Sequence, residues 1–332
     1  GSSRKLPAYR IRYPPQSPTH TGAGRIVTIR MRPMALAERG IGSPSVSLSR
    51  LLDADNYEPA GATDVSLSDY VSEIVRSGFP AIRNLTKRAL RRQLDGYIAR
   101  IIEADFEEQG RAVRRPETLM SWLRAYAAAT STTATFETIR DAATGGHGDK
   151  PAKTTTLPYR EILRQLWIVD PVPPWSPSRN LLNRLGQAPK HSLADPALAA
   201  RVLGLDAEAL LSGEGVEAPV PSGSSLLGNL FESLVTLCIR VYAEAAEANI
   251  YHLRLHGGSR EIDLIVERGD GKIVAIEVKL SRTVSDEDVK HLRWLRGELG
   301  GALLNAVVVN TGPNAYRRSD GVAVVPAALL GV

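Results

Sequence analysis

The stretch Arg260 to Leu280, REIDLIVERGDGKIVAIEVKL, constrains this chain more than any other, because two alternating apolar runs are separated by a glycine-rich turn. Such a pattern predicts an antiparallel hairpin. Ile262, Leu264 and Val266 on one arm and Val274, Ile276 and Val278 on the other are all even-numbered, so they share a face only if paired residues sum to an even number. A three-residue loop Gly269 to Gly271, with glycine for the left-handed position, meets that condition and sets Asp263 opposite Glu277. Lys279, two residues beyond Glu277, falls on the same face.

Two carboxylates placed directly opposite one another repel, and a divalent cation relieves the conflict. Hard oxygen donors suit Mg²⁺ or Mn²⁺, held here by Asp263, Glu277, the main-chain carbonyl of Val278 and water. Lys279 is then placed to hold or polarise an attacking water while the metal stabilises charge on a phosphate. The competing reading is a hairpin face with alternating charges and no ligand.

Around the hairpin the order is helix, strand, strand, strand, helix, strand. LLGNLFESLVTLCIRVYAEAA repeats apolar residues at helical spacing, YHLRLH precedes the hairpin, and DEDVKHLRWLRGEL and LLNAVVVN follow it. Upstream, Leu85 to Phe106 is a predicted helix whose Arg83, Lys87, Arg88, Arg91 and Arg92 read as a solvated face rather than a phosphate-binding stripe. GRIVTIRMRPM alternates like a strand, and residues 40–65 read as an irregular connection. Between Pro116 and Trp175 three helices precede a strand, the order of a winged helix. Docked on DNA, its third helix would present Lys153, Thr154, Thr155, Tyr159 and Arg160; a connector that only packs between domains is an equal alternative.

A chain of 332 residues suggests two or three domains, and 43% hydrophobic with 23% charged residues is globular composition. No run of eighteen apolar residues and no signal-peptide core is present, so a cytoplasmic protein without a membrane span is expected. A single cysteine, Cys238, excludes an internal disulfide and reads as a buried thiol. The net charge of +5 permits attraction to a polyanion without demonstrating it. Opening at Gly1 rather than methionine, the chain reads as a processed or truncated product.

REIDLIVE and GKIVAIEVKLS resemble motifs two and three of the PD-(D/E)XK nucleases, with Asp263 as the first acid and Glu277-Val278-Lys279 as the E-x-K. GNLFESLV, carrying Glu232, resembles the helical glutamate motif that precedes them, and Ile262 stands where the name has proline. The resemblance implies catalysis by Glu232, Asp263, Glu277 and Lys279, with Glu232 supporting the metal. GAGRIVTIRMRPMALAERG, SGFPAI, ILRQLWIVDPVPPW and APKHSLADPALAARVLG extend it, being similar to the tail of AAA-superfamily ATPases that end in a nuclease-like domain.

That similarity implies four parts: 1–60 a remnant of the ATPase core with an irregular linker, 61–115 a helical lid-like region, 116–177 a winged-helix-like domain, and 178–332 the nuclease-like domain. The expected fold class is α/β with a helical N-terminal region, a winged-helix-like middle and a nuclease-like αβββαβ end. No G-x-x-x-x-G-K-[ST] is present, so neither ATP hydrolysis nor nucleotide binding is expected, and Arg25 reads as a plain charged strand residue. His191 and Asp195 are expected to cap and order the start of the nuclease-like part. The function expected is metal-dependent cleavage of DNA. The alternatives are a non-catalytic DNA-binding or regulatory module left from an AAA-type ATPase, and a component of a toxin–antitoxin or mobile-element system. A homodimer is a further partner the resemblance implies, although no interface stripe marks it.

Overall fold

Hydrophobic register builds the hairpin as the sequence predicts. In the computed structural model, which describes residues 30–53, 57–108, 115–144, 151–176, 187–213, 225–255 and 258–332, β4 (Glu261–Glu267) and β5 (Ile273–Val278) pair antiparallel. Leu264 stands opposite Ile276, and Val266 opposite Val274. The Arg268 amide donates to the Lys272 carbonyl at 2.9 Å, and Gly271 takes φ +83°, where a side chain would be strained. Continued to the strand ends, this register sets Asp263 across from Glu277.

One predicted placement fails. Leu264, Val266, Val274, Ile276 and Val278 share one core, but Ile262 packs in the other, with Ile265, Ile273 and Ala275. The cause is a bulge in β4 where it pairs with β3 (Asn249–Arg254): Tyr251 pairs with Ile265 and Leu253 with Ile262. His252 therefore faces two residues, Asp263 and Leu264. A β-bulge of this kind reverses the side-chain parity beyond it and re-aims the residue at the bulge.

The mixed seven-stranded sheet runs β2-β7-β8-β6-β5-β4-β3, with β6 (Leu303–Asn310), β7 (Asn314–Arg317), β8 (Ala323–Pro326) and the short β2 (Gly61–Ala62). Both faces are covered, which explains why the strands carry apolar residues at odd and even positions alike. The long helix here numbered α9 (Leu226–Ala245) supplies Leu230, Leu234 and Ile239 to the core of Leu264 and Ile276. On the other face α10 (Lys290–Leu299) packs Leu292 and Leu295 against Ile265 and Val308. In length and hydropathy α9 could cross a membrane, but 78% of its apolar window is buried inside the fold. It is the central helix of a core, and Cys238 within it accepts from the Leu36 amide at 3.3 Å with its thiol pushed up by burial.

Of the two units into which the chain divides, Gly1–Met31 lies almost wholly outside the described residues, and the architecture is that of Arg32–Val332. Most of GRIVTIRMRPM, including Arg25, is therefore not described, and its described end is not a strand. Residues 40–65 are not merely irregular. They form β1 (Val46–Ser47), parallel to β9 (Leu330–Gly331); α1 (Leu48–Asp53), packed on β6 and α9; and β2, antiparallel to β7. Asn305 of β6 donates to the Leu51 carbonyl at 2.8 Å.

The helical region starts with α2 (Leu67–Arg76), opened by a capping box between Ser66 and Asp69, and α3 (Lys87–Arg100), capped by Thr86 and running into a π turn at Ile101–Asp105. Lys87, Arg88, Arg91 and Arg92 are exposed, whereas Arg83 is buried. It shares Glu73 with Arg39, each donating to Oε2 at 3.2 Å. Then come α4 (Pro116–Ala128), with Pro116 in its first turn, α5 (Phe136–Ala142), capped by Thr135, and α6 (Lys153–Gln165). WIVDPVPPW makes isolated bridges rather than a continuous strand, and its partners at Lys190 and Leu193 lie beyond the boundary expected at 177/178.

Two short helices, α7 (Pro196–Val202) and α8 (Ala207–Ser212), lead towards α9. Asp195 caps α7 by accepting from the Ala197 amide at 2.9 Å. Its other oxygen accepts from Ser77 Oγ at 2.6 Å and the Gly78 amide at 2.8 Å, tying α7 to the end of α2. Ser77 has φ +70°, so this carboxylate also holds a backbone conformation that its residue type disfavours. Removing a cap and leaving buried donors without an acceptor both destabilise. Asp195→Ala is expected to cost roughly 2–4 kcal/mol, read as a lowered urea midpoint.

Candidate active site

Two extended arms deliver the residue around which the site is built. Val169 bridges Leu193 and Val172 bridges Lys190, both antiparallel, with Val172 and Lys190 exchanging main-chain hydrogen bonds of 2.8 and 3.0 Å. The first arm then runs beside β3, where the His252 amide donates to the Pro173 carbonyl at 3.0 Å and Trp175 donates to His252 at 2.6 Å. Ala188 on the second arm contacts the His252 ring through its carbonyl at 3.1 Å. The arms thus grip His252, the residue opposite the bulge, by main chain and side chain, and the bulge presents Asp263.

Lys190 enters between the acids. Its Nζ lies 2.8 Å from Glu232 Oε1, 2.8 Å from Asp263 Oδ1 and 3.7 Å from Glu261 Oε1, with the whole residue 2% exposed. Asp263 Oδ2 accepts from the Val278 amide at 2.8 Å, which ties it to β5. Lys279 Nζ donates to Glu277 Oε1 at 2.9 Å. Glu277 is buried, and its Oε2 has no hydrogen-bond partner.

These contacts divide the titrations in opposite directions. Burial, with the Asp263 charge second, raises Glu232 to about 8, Lys190 opposing; Glu277 rises to about 8 for the same two reasons, Lys279 opposing. Asp263 is lowered: desolvation works against it, but Lys190 and the Val278 amide outweigh that cost. Desolvation likewise opposes charge on Lys190 and Lys279, yet both are raised, Lys190 by Asp263, Glu232 and Glu261, and Lys279 by Glu277.

Of the residues singled out from sequence, Asp263, Glu277, Val278 and Lys279 come together at one end of the hairpin, and Glu232 joins them through Lys190. Among the described residues, no three His, Cys, Asp or Glu side chains are disposed to enclose a metal ion. Glu277 Oε2, buried and without a hydrogen-bond partner, is an oxygen donor of the kind a hard cation that keeps much of its water takes. Glu232 is committed to Lys190 and faces the ammonium. Sequence reasoning had not singled out Lys190, Glu261 and His252. A lone lysine has no periodicity that marks it as buried, and a bulge leaves no trace in hydrophobic alternation.

On α6, Lys153, Thr154 and Thr155 are exposed, but Tyr159 is not available to a ligand. It is 9% exposed and packs edge-on against Phe106, because 156, 159, 162 and 163 form the buried stripe of the helix. Arg160 lies over the Phe136 ring at 4.4 Å, in a cavity of about 380 Å³ lined also by Trp122, Arg140, Lys153 and Thr156. His191 sits between the Tyr126 and Phe136 rings, with its Nε2 on the Ala134 carbonyl and its pKa lowered by burial to about 4. It orders the core rather than facing the acids.

A carboxyl raised by folding is protonated in the native state where the unfolded chain is already ionised. Its favourable contribution is complete below the unfolded value near 4.5 and is lost as pH rises towards 8. In chelated buffer Glu277→Gln, which cannot ionise, should match wild type near pH 5 and exceed it increasingly towards pH 8. Urea midpoints of the two proteins across this range measure the difference, and a constant offset would contradict the assignment.

Residues 227–330, from the start of α9 to β9, match a family described as a domain of unknown function, DUF4143. Residues 67–209, from α2 into α8, match a second domain of unknown function, DUF8612. No curated protein and no solved structure matches the chain.

Proposed function

We propose that this protein is a metal-dependent nuclease of the PD-(D/E)XK type, cutting DNA phosphodiesters at the Asp263, Glu277 and Lys279 end of the hairpin. The observation that carries the reading is the buried Glu277 carboxylate, with one oxygen on Lys279 and the other without a partner, beside an Asp263 fixed by the Val278 amide. Burying so many acids is costly unless a ligand makes use of them. Asp263 and Glu277 would hold Mg²⁺ or Mn²⁺, and a bound divalent ion stabilises developing charge on the phosphate and lowers the pKa of a water. Lys279, free to exchange its hydrogen bond to Glu277 for one to water, orients the nucleophile. Glu232 acts at one remove, by holding Lys190 against Asp263.

Asp263→Asn and Glu277→Gln are expected to abolish Mn²⁺-dependent cleavage of circular and linear DNA, and Lys279→Met to slow it by about 10²-fold or more. Absence of cleavage by wild type on any DNA, together with no metal binding at millimolar concentration, would overturn the reading.

The helices α4, α5 and α6 followed by an antiparallel pair have the element order of a winged helix, and we assign DNA contact to Lys153, Thr154, Thr155 and Arg160. Such contacts act through phosphate neutralisation. Lys153→Ala and Arg160→Ala should weaken gel-shift affinity across all sequences and flatten its salt dependence by about one ion each, leaving cleavage chemistry intact. A second reading, a non-catalytic DNA-binding or regulatory module descended from an AAA-type ATPase, is favoured by one observation: Lys190 already satisfies Glu232 and Asp263. It predicts that the binding variants lose affinity while the acid variants change nothing.

A further inference from the structure

The cation that fills the acid cluster is supplied by the chain itself. Lys190 Nζ is ringed by oxygens of Glu232, Asp263 and Glu261 at 2.8, 2.8 and 3.7 Å, so the ammonium is the shared counter-charge of these acids. It is not a surface lysine that swings in and out. The side chain is 2% exposed, and the residue is fixed on both sides by main-chain hydrogen bonds to Val172. Glu277 is bonded to Lys279 instead, so the cluster has two halves that share Asp263.

We propose that the Lys190 ammonium stands in the place of a second divalent ion, so that this site holds one metal and not two. The proposal rests on the reading that Asp263 and Glu277 take a metal. Charge counting agrees. A bound divalent ion displaces the protons that burial holds on Glu232 and Glu277; so ionised, Glu232, Glu261, Asp263 and Glu277 oppose the two ammonium groups of Lys190 and Lys279, leaving two negative charges. One divalent ion balances that excess, and a second would leave a buried positive excess of equal size, which a low-dielectric site resists. Replacing Lys190 by a neutral residue leaves Glu232, Asp263 and Glu261 without their shared counter-charge, with a partly exposed Glu261 to admit an ion that draws them together.

Calorimetric titration of the full chain with Mn²⁺ tests this through stoichiometry alone. Wild type should bind one ion, Lys190→Met two, and Lys190→Met combined with Glu232→Gln one with at least tenfold loss at the added site. Circular dichroism confirms folding of each variant. Because Lys190→Met could fail to fold, Glu232→Gln alone gives an independent reading: the affinity for the single ion stays within about threefold of wild type if Glu232 serves Lys190, and falls tenfold or more if Glu232 ligates metal. Two ions on wild type, one on a folded Lys190→Met, or the tenfold fall with Glu232→Gln would each overturn the proposal. No ion on wild type but one on Lys190→Met would remove the nuclease reading and leave Lys190 as an ion substitute. No ion on either would remove both.

Discussion

A buried ammonium group governs this structure. Removing a lysine charge from water costs several kcal/mol unless carboxylates surround it, and carboxylates so buried are equally costly without their cation. Lys190, Glu232, Asp263 and Glu261 therefore specify one another's positions. They come from four places in the chain: an extended arm, the start of α9, and two positions on β4. Once they are joined, the arm lies against the edge of β3, α9 is tied to the arm through Glu232, and the β4 bulge opposite His252 sets Asp263 beside Lys190. Within this arrangement burial and the Asp263 charge raise Glu232, while Lys190 and the Val278 amide, against the cost of burial, lower Asp263.

Much of the sheet was legible in the sequence. Parity of the apolar positions fixed the β4–β5 register and the three-residue loop, because a one-residue slip would have moved a whole apolar set to the wrong face. Pro116 and the long apolar period of Leu226–Ala245 likewise marked real helices. The reading failed where local pattern carries no information. Ile262 went to the other core because a bulge is a pairing property of two strands, not a property of either. Tyr159 went inward because helix phase, set by Ile162 and Leu163, outweighs its polar tip.

The candidate site was legible only in part, for the same reason. Asp263, Glu277 and Lys279 sit on adjacent strands, so register alone gathers them. Lys190 is far from them in sequence and is brought in by bridges at Val172 and Leu193 that involve a few residues each. Glu232 was found through motif likeness, but its partner was not. Without that partner, its direct engagement with a lysine looked like engagement with a metal.

The pairing of β1 with β9 has a kinetic side. Val46 lies beside Leu330, so the first and last strands of the described residues pair across a very long stretch of sequence, while β2 does the same to β7. Loop closure over such separations is entropically expensive and is repaid only after the intervening sheet exists. A ribosome therefore releases the C-terminal strands only after the N-terminal segment has long been waiting, with Leu48, Leu51 and Leu52 lacking the surface they finally cover. During synthesis this segment is an unprotected apolar stretch. Before β6 and β9 are made, this segment has no partner surface, and exposed apolar stretches of that kind favour misassembly.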